Sequence, residues 1–513
     1  AEGTPLRAEL RRYDAWGRLA ETSIQAYEKG KPQAPQWTQR LAYRDQRFPD
    51  GSIALGQDPV RIEQPSSIAG KVRATEIDYN DKGQVLRITE RGWSPVDAEG
   101  KEVPTAIERT TRYAYTTIAG RSLLAEIDGP LPNGPKGTPE DSDITRFSWD
   151  GKGQLMSSML QPGGRRSELN YEAGSGRVAQ VRNEAGTSTD FRYDASGNPI
   201  SLRTAGPGWP RPLVQSLQYD AQGRLVEWGR GEAGTEQYRG EQRQAYDLAD
   251  RLVLRAQVSG VLEQFAYDAE SRPVRSLRQA GFIVQREEQS FDEQGRLIRL
   301  SGPQGRSLQL RYDEAGRPSL WIDALGREHR HETTPAFAPR RLQTLRDDWG
   351  RPVQTRSPDA GVNTRCFDAA NRLVAAQDAL GHRARYAYDS ADRIVEQHIQ
   401  DGSSPAGTVT RWRYEGRRLV ALEHPSQSEH YTHDVRGLVL TREVLRPGLR
   451  ALTRYGYDDE GRLLSQTLPD GSLLNFRRDA LGQVVALERE RVLTAWLRWL
   501  LPTQTLAGEM KQD

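Results

Sequence analysis

Cysteine is almost absent: Cys366 is the 1 thiol in 513 residues. That excludes an internal disulfide framework and any zinc cluster built on thiolates. Long apolar runs are missing as well, and nothing approaches the ~18 consecutive apolar residues of a membrane-spanning helix. Lysine is scarce, at 8 against 64 arginines. Charge of either sign is lacking in sum, with 72 basic and 70 acidic side chains leaving +2. Such a balance offers no bulk field to draw the chain onto nucleic acid or a membrane surface. Aromatic residues are not lacking: 11 Trp, 19 Tyr and 9 Phe stand in a chain of mean hydropathy −0.76, too many for a disordered polymer.

What is abundant is glycine, 48 residues, and it falls in one recurring phrase: an aromatic, Asp, two variable residues, then Gly-Arg. Well-formed copies begin at Tyr13, Tyr219, Phe291, Tyr312 and Tyr457, with the turn pairs Asp14/Gly17, Asp220/Gly223, Asp292/Gly295, Asp313/Gly316 and Asp458/Gly461. Looser copies start at Tyr79, Trp149, Tyr171, Tyr193, Tyr246, Tyr267, Phe367, Tyr388 and Tyr414. Degenerate ones surround Asp323, Asp347, Asp378, Asp434 and Asp479. Trp149, Tyr171 and Tyr193 are 22 apart, and Phe291 and Tyr312 are 21 apart, a repeat array and not a string of domains.

The phrase has a physical reading. Asp first and Gly fourth specify a type I turn whose last residue is left-handed, the connection a three-residue hairpin loop needs. The Asp carboxylate accepts hydrogen bonds from the turn's own backbone. Where Gly is missing, Asp250, Asn371 and Asp392 stand in its place, residue types that tolerate the left-handed region; Ser271 does not fit that rule. The flanks alternate with period two, as in Phe191/Tyr193, Leu217/Tyr219, Leu310/Tyr312 and Trp412/Tyr414, with Arg192, Gln218, Arg311 and Arg413 between. One face is apolar and the other wet, the pattern of half-buried antiparallel strands. Each unit is therefore a strand, a tight turn and a returning strand, and the fold class is all-β.

Two segments, 28–70 and 91–145, are rich in Pro and Gly and read as loop-rich insertions or distorted repeats within a repeat region spanning 1–485. Segment 485–501 is the best helix candidate, ended by Pro502, so 486–513 is expected to form a short helical cap or linker over the last strand edge.

With the periodicity and the Tyr-Asp-x-x-Gly-Arg phrase in hand, residues 8–485 resemble the RHS/YD-repeat proteins. The resemblance implies β-hairpins wound as a spiral sheet into a hollow shell, partial or complete. In bacterial secreted effectors, contact-dependent weapons and insecticidal toxin complexes such a shell encloses a polypeptide, typically a toxin. Teneurins use a similar barrel for cell-surface recognition. The family's bacterial members usually carry two Asp-Pro-x-Gly-Leu phrases at an aspartic self-cleavage site. Here Asp58-Pro59-Val60-Arg61 is the sole Asp-Pro pair and lacks the Gly-Leu, so no catalytic residue carries over.

Local chemistry points to no competing activity. His329 and His331 share a strand face, and His424, His430 and His433 cluster in sequence, but no carboxylates stand at ligand spacing, so no metal site and no cofactor are expected. Cys366 beside Phe367 reads as a free buried thiol. Carboxylate pairs recur because every turn carries Asp, which makes them turn caps and not a glycosidase-type acid pair. Arg411-Trp412-Arg413-Tyr414 places arginines and aromatics on opposite faces, which disfavours nucleic-acid stacking. The expected function is a non-enzymatic shell that shields a toxin or effector polypeptide before delivery out of a bacterial cell. Its expected partners are the enclosed polypeptide, flanking shell segments or a delivery-apparatus protein, with no nucleic acid and no transmembrane segment. The chain itself is expected to be part of a larger enclosure. The alternative is an extracellular recognition module binding glycan or a surface protein through its aromatic strips and outer loops.

Overall fold

The computed structural model describes residues 7–28, 31–47, 53–131, 143–236, 238–312, 318–330, 343–357, 360–402, 406–478, 484–490 and 507–508. The chain forms two compact units, one of residues 1–168, 338–414 and 421–426, the other of 169–337, 415–420 and 427–513. Both are built alike, from strands that pair antiparallel in chain order. In the first unit Val72–Tyr79 pairs with Val85–Ser94, which pairs with Thr105–Ile118, which pairs with Arg121–Asp128. In the second, Leu213–Tyr219 begins a run through Leu225–Arg230, Arg239–Tyr246, Leu252–Gln257 and Val261–Tyr267. Among the described residues there is no α-helix, only 3₁₀ turns at Pro162–Gly164 and Pro303–Gly305. The all-β antiparallel class holds, in sheets of the kind a YD shell is made of.

The period-two alternation sets the faces. Phe191, Tyr193, Leu217, Tyr219, Leu310, Tyr312, Trp412 and Tyr414 are half-buried, while the intervening Arg192, Gln218, Arg311 and Arg413 are exposed. Deep burial is rare. Among the described residues the buried apolar side chains are Ala74, Val96, Ile144, Leu320, Val353 and Ala421, and buried polar ones such as Ser216, Asp347, Asp348 and Gln354 outnumber them. A half-covered apolar face leaves much of the cohesion to hydrogen bonds at the turns.

Of the two readings of the Pro/Gly-rich segments, the described residues fit distorted repeats. Gln36–Tyr43 and Pro59–Pro65 are strands within the first, and Thr105–Ile118, at 14 residues, and Arg121–Asp128 lie within the second. Pro59 opens its strand, Pro65 closes it, and Pro104 precedes Thr105, places where a sheet tolerates a missing N–H.

The helix expected from 485 is also corrected. Val484–Glu490 is a strand that pairs with Leu473–Arg478, with Phe476 opposite Leu487, so residues 486–490 belong to the sheet. A short apolar run fits a strand as well as a helix. Residues 491–501, the rest of the helix candidate, lie outside the described residues.

Turn conformation yields a direct test. Gly295 has φ +80, and a Cβ added there would stand 3.0 Å from the Arg272 guanidinium. Gly295→Val is expected to destabilise the protein by about 1–3 kcal/mol, read as a lowered urea midpoint. An unchanged midpoint would contradict the left-handed turn.

Candidate functional site

The repeated chemistry sits at the turns. At Asp220 the backbone N–H donates to the Arg224 carbonyl at 3.0 Å, and the Gly223 N–H donates back to the Asp220 carbonyl at 2.9 Å. Oδ1 of Asp220 accepts the N–H groups of Gln222 and Arg224 at 3.0 and 2.9 Å, and Oδ2 accepts Nε of Arg224 at 2.7 Å. The same set recurs at Asp14, Asp292 and Asp458. Gly17, Gly223, Gly295 and Gly461 have φ of +80, +77, +80 and +82, as a type I turn with a bulge demands. The bulge shows as a register break just before Tyr13, Tyr219, Phe291 and Tyr457. Asp313 and Gly316 lie outside the described residues. Asp250, Asn371 and Asp392 are left-handed at φ +61, +67 and +61, and so is Ser271 at +65. The serine is accommodated because its Oγ accepts a guanidinium N–H of Arg251 at 3.3 Å.

The arginine that ends the phrase does more than close its own turn, a role that sequence reasoning missed. Arg224 also donates to the Asp247 carbonyl at 3.2 Å and the Asp250 carboxylate at 2.6 Å, both in the next Tyr-Asp turn. Its guanidinium lies 5.0 Å from the ring centre of Tyr246 in that same turn. Arg251 repeats the arrangement on Asp268, Ser271 and Tyr267; Arg351 on Asp368, Asn371 and Phe367; Arg372 on Asp389, Asp392 and Tyr388. A second tie runs backward. The Tyr246 hydroxyl donates to the Leu225 carbonyl at 3.0 Å, Tyr267 to Leu252 at 2.9 Å, and Tyr388 to Leu373 at 2.7 Å, each the first strand residue after the preceding arginine. The signal was present in the sequence as the preference for Tyr over Phe at a position where packing alone asks only for an aromatic.

Each unit also contains a seam where later turns meet loops at the far ends of earlier hairpins. In the first unit Asp348, 3% exposed, is the anchor. Its carboxylate accepts the Ser66 hydroxyl at 2.9 Å and the N–H groups of Ser67 and Trp93 at 2.6 and 2.8 Å. Its own N–H donates to the Trp93 carbonyl at 3.0 Å, and its carbonyl accepts Arg73 at 2.5 Å. Gly92 allows the approach, since a Cβ there would stand 2.8 Å from that of Asp348. In the second unit Val435 packs on Gly208, and Glu460 faces Arg211 and Arg230 at 3.2 and 3.9 Å.

Cys366 lies on the first unit's seam, half-buried, its thiol 3.2 Å from the Ala98 carbonyl beside a cavity of about 50 Å³. Burial, followed by the charges of Asp97 and Glu99, pushes its pKa up, away from thiolate chemistry. The described histidines do not converge, and His331 lies outside the described residues. His382 pairs with Asp378 at 2.8 Å, His424 contacts Ser426, and among the described residues no three His, Cys, Asp or Glu side chains gather at ligand spacing. Among those residues no helix is long and apolar enough to cross a membrane.

Two outcomes are expected from the ladder. Tyr267→Phe removes one hydroxyl bond and leaves the Leu252 carbonyl without it, a loss of about 1 kcal/mol measurable by urea denaturation; no loss would mean that the ring alone carries the contact. Backbone N–H groups, those of Arg224 and Arg251 first, hold the carboxyls of Asp220 and Asp247 below the ordinary range. A depressed folded pKa contributes stability that is whole above the unfolded value of about 3.9 and is lost as pH falls through the folded one. Thermal midpoints should therefore hold steady down to about pH 4 and then drop; a midpoint flat to lower pH would contradict the turn-cap assignment.

With that geometry established, the comparisons are consistent. The teneurin YD-shell family model matches residues 290–490, and the RHS repeat model matches residues 174–207. Double-stranded DNA deaminase toxin A of Burkholderia cenocepacia (strain H111) is 28% identical over 140 residues, which cover 24% of this chain and 10% of that protein. The crystal structure of TcdB2-TccC3 is similar over 94% of this chain and 35% of its own, at 12% identity and a TM-score of 0.61. The TcdB2-TccC3-Cdc42 structure is similar over 94% of this chain and 36% of its own, at 12% identity and a TM-score of 0.58. This chain thus spans about a third of those structures and a tenth of the deaminase toxin. Repeat, turn geometry and family models agree: the chain carries the RHS/YD repeat, matched by the family models over residues 174–207 and 290–490.

Proposed function

We propose that the chain is a non-enzymatic stretch of shell wall whose role is to enclose a toxin or effector polypeptide until delivery out of a bacterial cell. The observation that supports this most is the ladder itself. Turn after turn, the recurring chemistry of Asp, Arg and Tyr is used up in holding one repeat to the next. Catalysis needs polar groups left available for a substrate, and here the recurrent carboxylates and guanidiniums satisfy one another. The toxin named among its relatives, and the toxin-complex structures whose fold it resembles, support the same reading. Partners on this reading are the enclosed polypeptide and further shell segments or a delivery-apparatus protein.

A second reading, surface recognition, has one observation in its favour. At the hairpin tip between Pro273–Ala280 and Ile283–Phe291, Phe282 is 107% exposed and Ile283 and Val284 are 61% and 56% exposed.

Limited proteolysis of the full-length gene product separates the two. A co-purifying polypeptide that resists protease until the wall is unfolded is the result expected of a shell. Cleavage of that polypeptide at the rate of its free form would count against enclosure. Binding to cells abolished by Phe282→Ser, with no protected polypeptide, would favour recognition.

A further inference from the structure

The two seams show what a Tyr-Asp turn does when another run of repeats lies against it, and one row of turns in the second unit has no such neighbour among the described residues. In that unit the consecutive turns at Asp434 and Asp458 carry an apolar residue, Val435, and then an acidic one, Glu460. Val435, itself 57% exposed, lies against Gly208, where a Cβ would stand 3.0 Å from its methyl groups. Glu460 pairs with its own Arg462 at 3.0 Å and also with Arg211 and Arg230, and is 19% exposed.

The consecutive turns at Asp247 and Asp268 carry the same pair in the same turn positions. Leu248 stands where Val435 does, directly after the turn Asp, and is 106% exposed. Glu270 stands where Glu460 does, two residues after it. Glu270 pairs with its own Arg272 at 2.9 Å but is 64% exposed. The neighbouring turn tips at Ala195, Ala221, Ala249, Ala269 and Gln294 are exposed too, whereas the tips at Asp348, Ala370, Ala391 and Glu460 are covered to half or more.

The complement of this row is present on the same molecule. The Gly208 loop offers a glycine with Arg211 and Arg230 nearby. The far-end loop between Val439–Arg446 and Leu449–Tyr457 offers Gly448, flanked by exposed Arg446 and Arg450. Gly448 has φ +74 and nothing within 4 Å of a Cβ position, which leaves room for a tip. We propose that the exposed turns carrying Leu248 and Glu270 dock onto the Arg446–Arg450 loop of a second copy of this chain, Leu248 against Gly448 and Glu270 against Arg446. The contact is heterologous: each copy keeps one turn row and one loop row open, so assembly extends head to tail unless it closes. It rests on the seam and not on what the wall encloses, so its failure would leave the proposed function standing.

Sedimentation of the purified full chain across low to high micromolar concentration tests it. The average mass is expected to rise with concentration and to fall with salt. Glu270→Arg and Leu248→Asp, both at exposed positions, should each weaken association about tenfold or more while leaving the circular dichroism spectrum unchanged. Arg446→Glu should do the same; Arg446, whose Nε donates to the neutral Gln427 at 2.9 Å, is preferred to Arg450, which is ion-paired with Glu443. Mixing the Glu270→Arg chain with the Arg446→Glu chain should restore association between the two, which a merely structural role for either residue would not produce. A monomer at every concentration, or an association that none of these changes weakens, would overturn the proposal.

Discussion

Everything in this molecule depends on one carboxylate used twice. The turn Asp accepts its own backbone N–H groups through one oxygen and grips the arginine four residues on through the other, as at Asp220 and Arg224. Held there, the guanidinium has donors to spare, and it gives them to the next turn while lying against that turn's aromatic ring. The ring's hydroxyl then reaches back to the strand that follows the arginine. Charge-assisted hydrogen bonds are the stronger kind, about 1.5–3 kcal/mol each against roughly 1 for a neutral pair. The pairs are partly exposed, and screening trims each contribution. Repetition makes up for modest strength.

This economy explains the composition. A sheet whose apolar face is only half covered cannot rely on a deep core, and few apolar side chains are buried. Arginine in place of lysine follows from geometry, because a planar fork can satisfy one turn and reach another, which a lysine ammonium cannot do at once. Each Asp–Arg turn pair contributes one charge of each sign, in keeping with the near balance of acid and base.

The fold was legible in the residues because the repeat is written in a short phrase with stereochemical content. Asp, Gly and their substitutes Asp250, Asn371 and Asp392 named both the turn and its handedness. The strands inside 28–70 and 91–145 were hidden because prolines such as Pro59 and Pro65 stand at strand ends. The strand at Val484–Glu490 was hidden because a short apolar run fits either a strand or a helix. The seams were the least legible. Asp348 reads as one more variable turn residue, and nothing near it in sequence announces Ser66, Ser67 and Trp93 as its partners. Contacts that span some 255–282 residues leave no local period to read.

The central claim is that neighbouring repeats are coupled through arginine and tyrosine and do not stand as independent hairpins. A double-mutant cycle on Arg372 and Tyr388, whose guanidinium and ring lie 4.9 Å apart, measures that coupling most directly. Arg372→Met, Tyr388→Leu and the double variant, compared by urea denaturation, should show an interaction energy of about 0.5 kcal/mol or more. Strictly additive losses would contradict the account, for they would mean that each turn is held by its own hairpin alone.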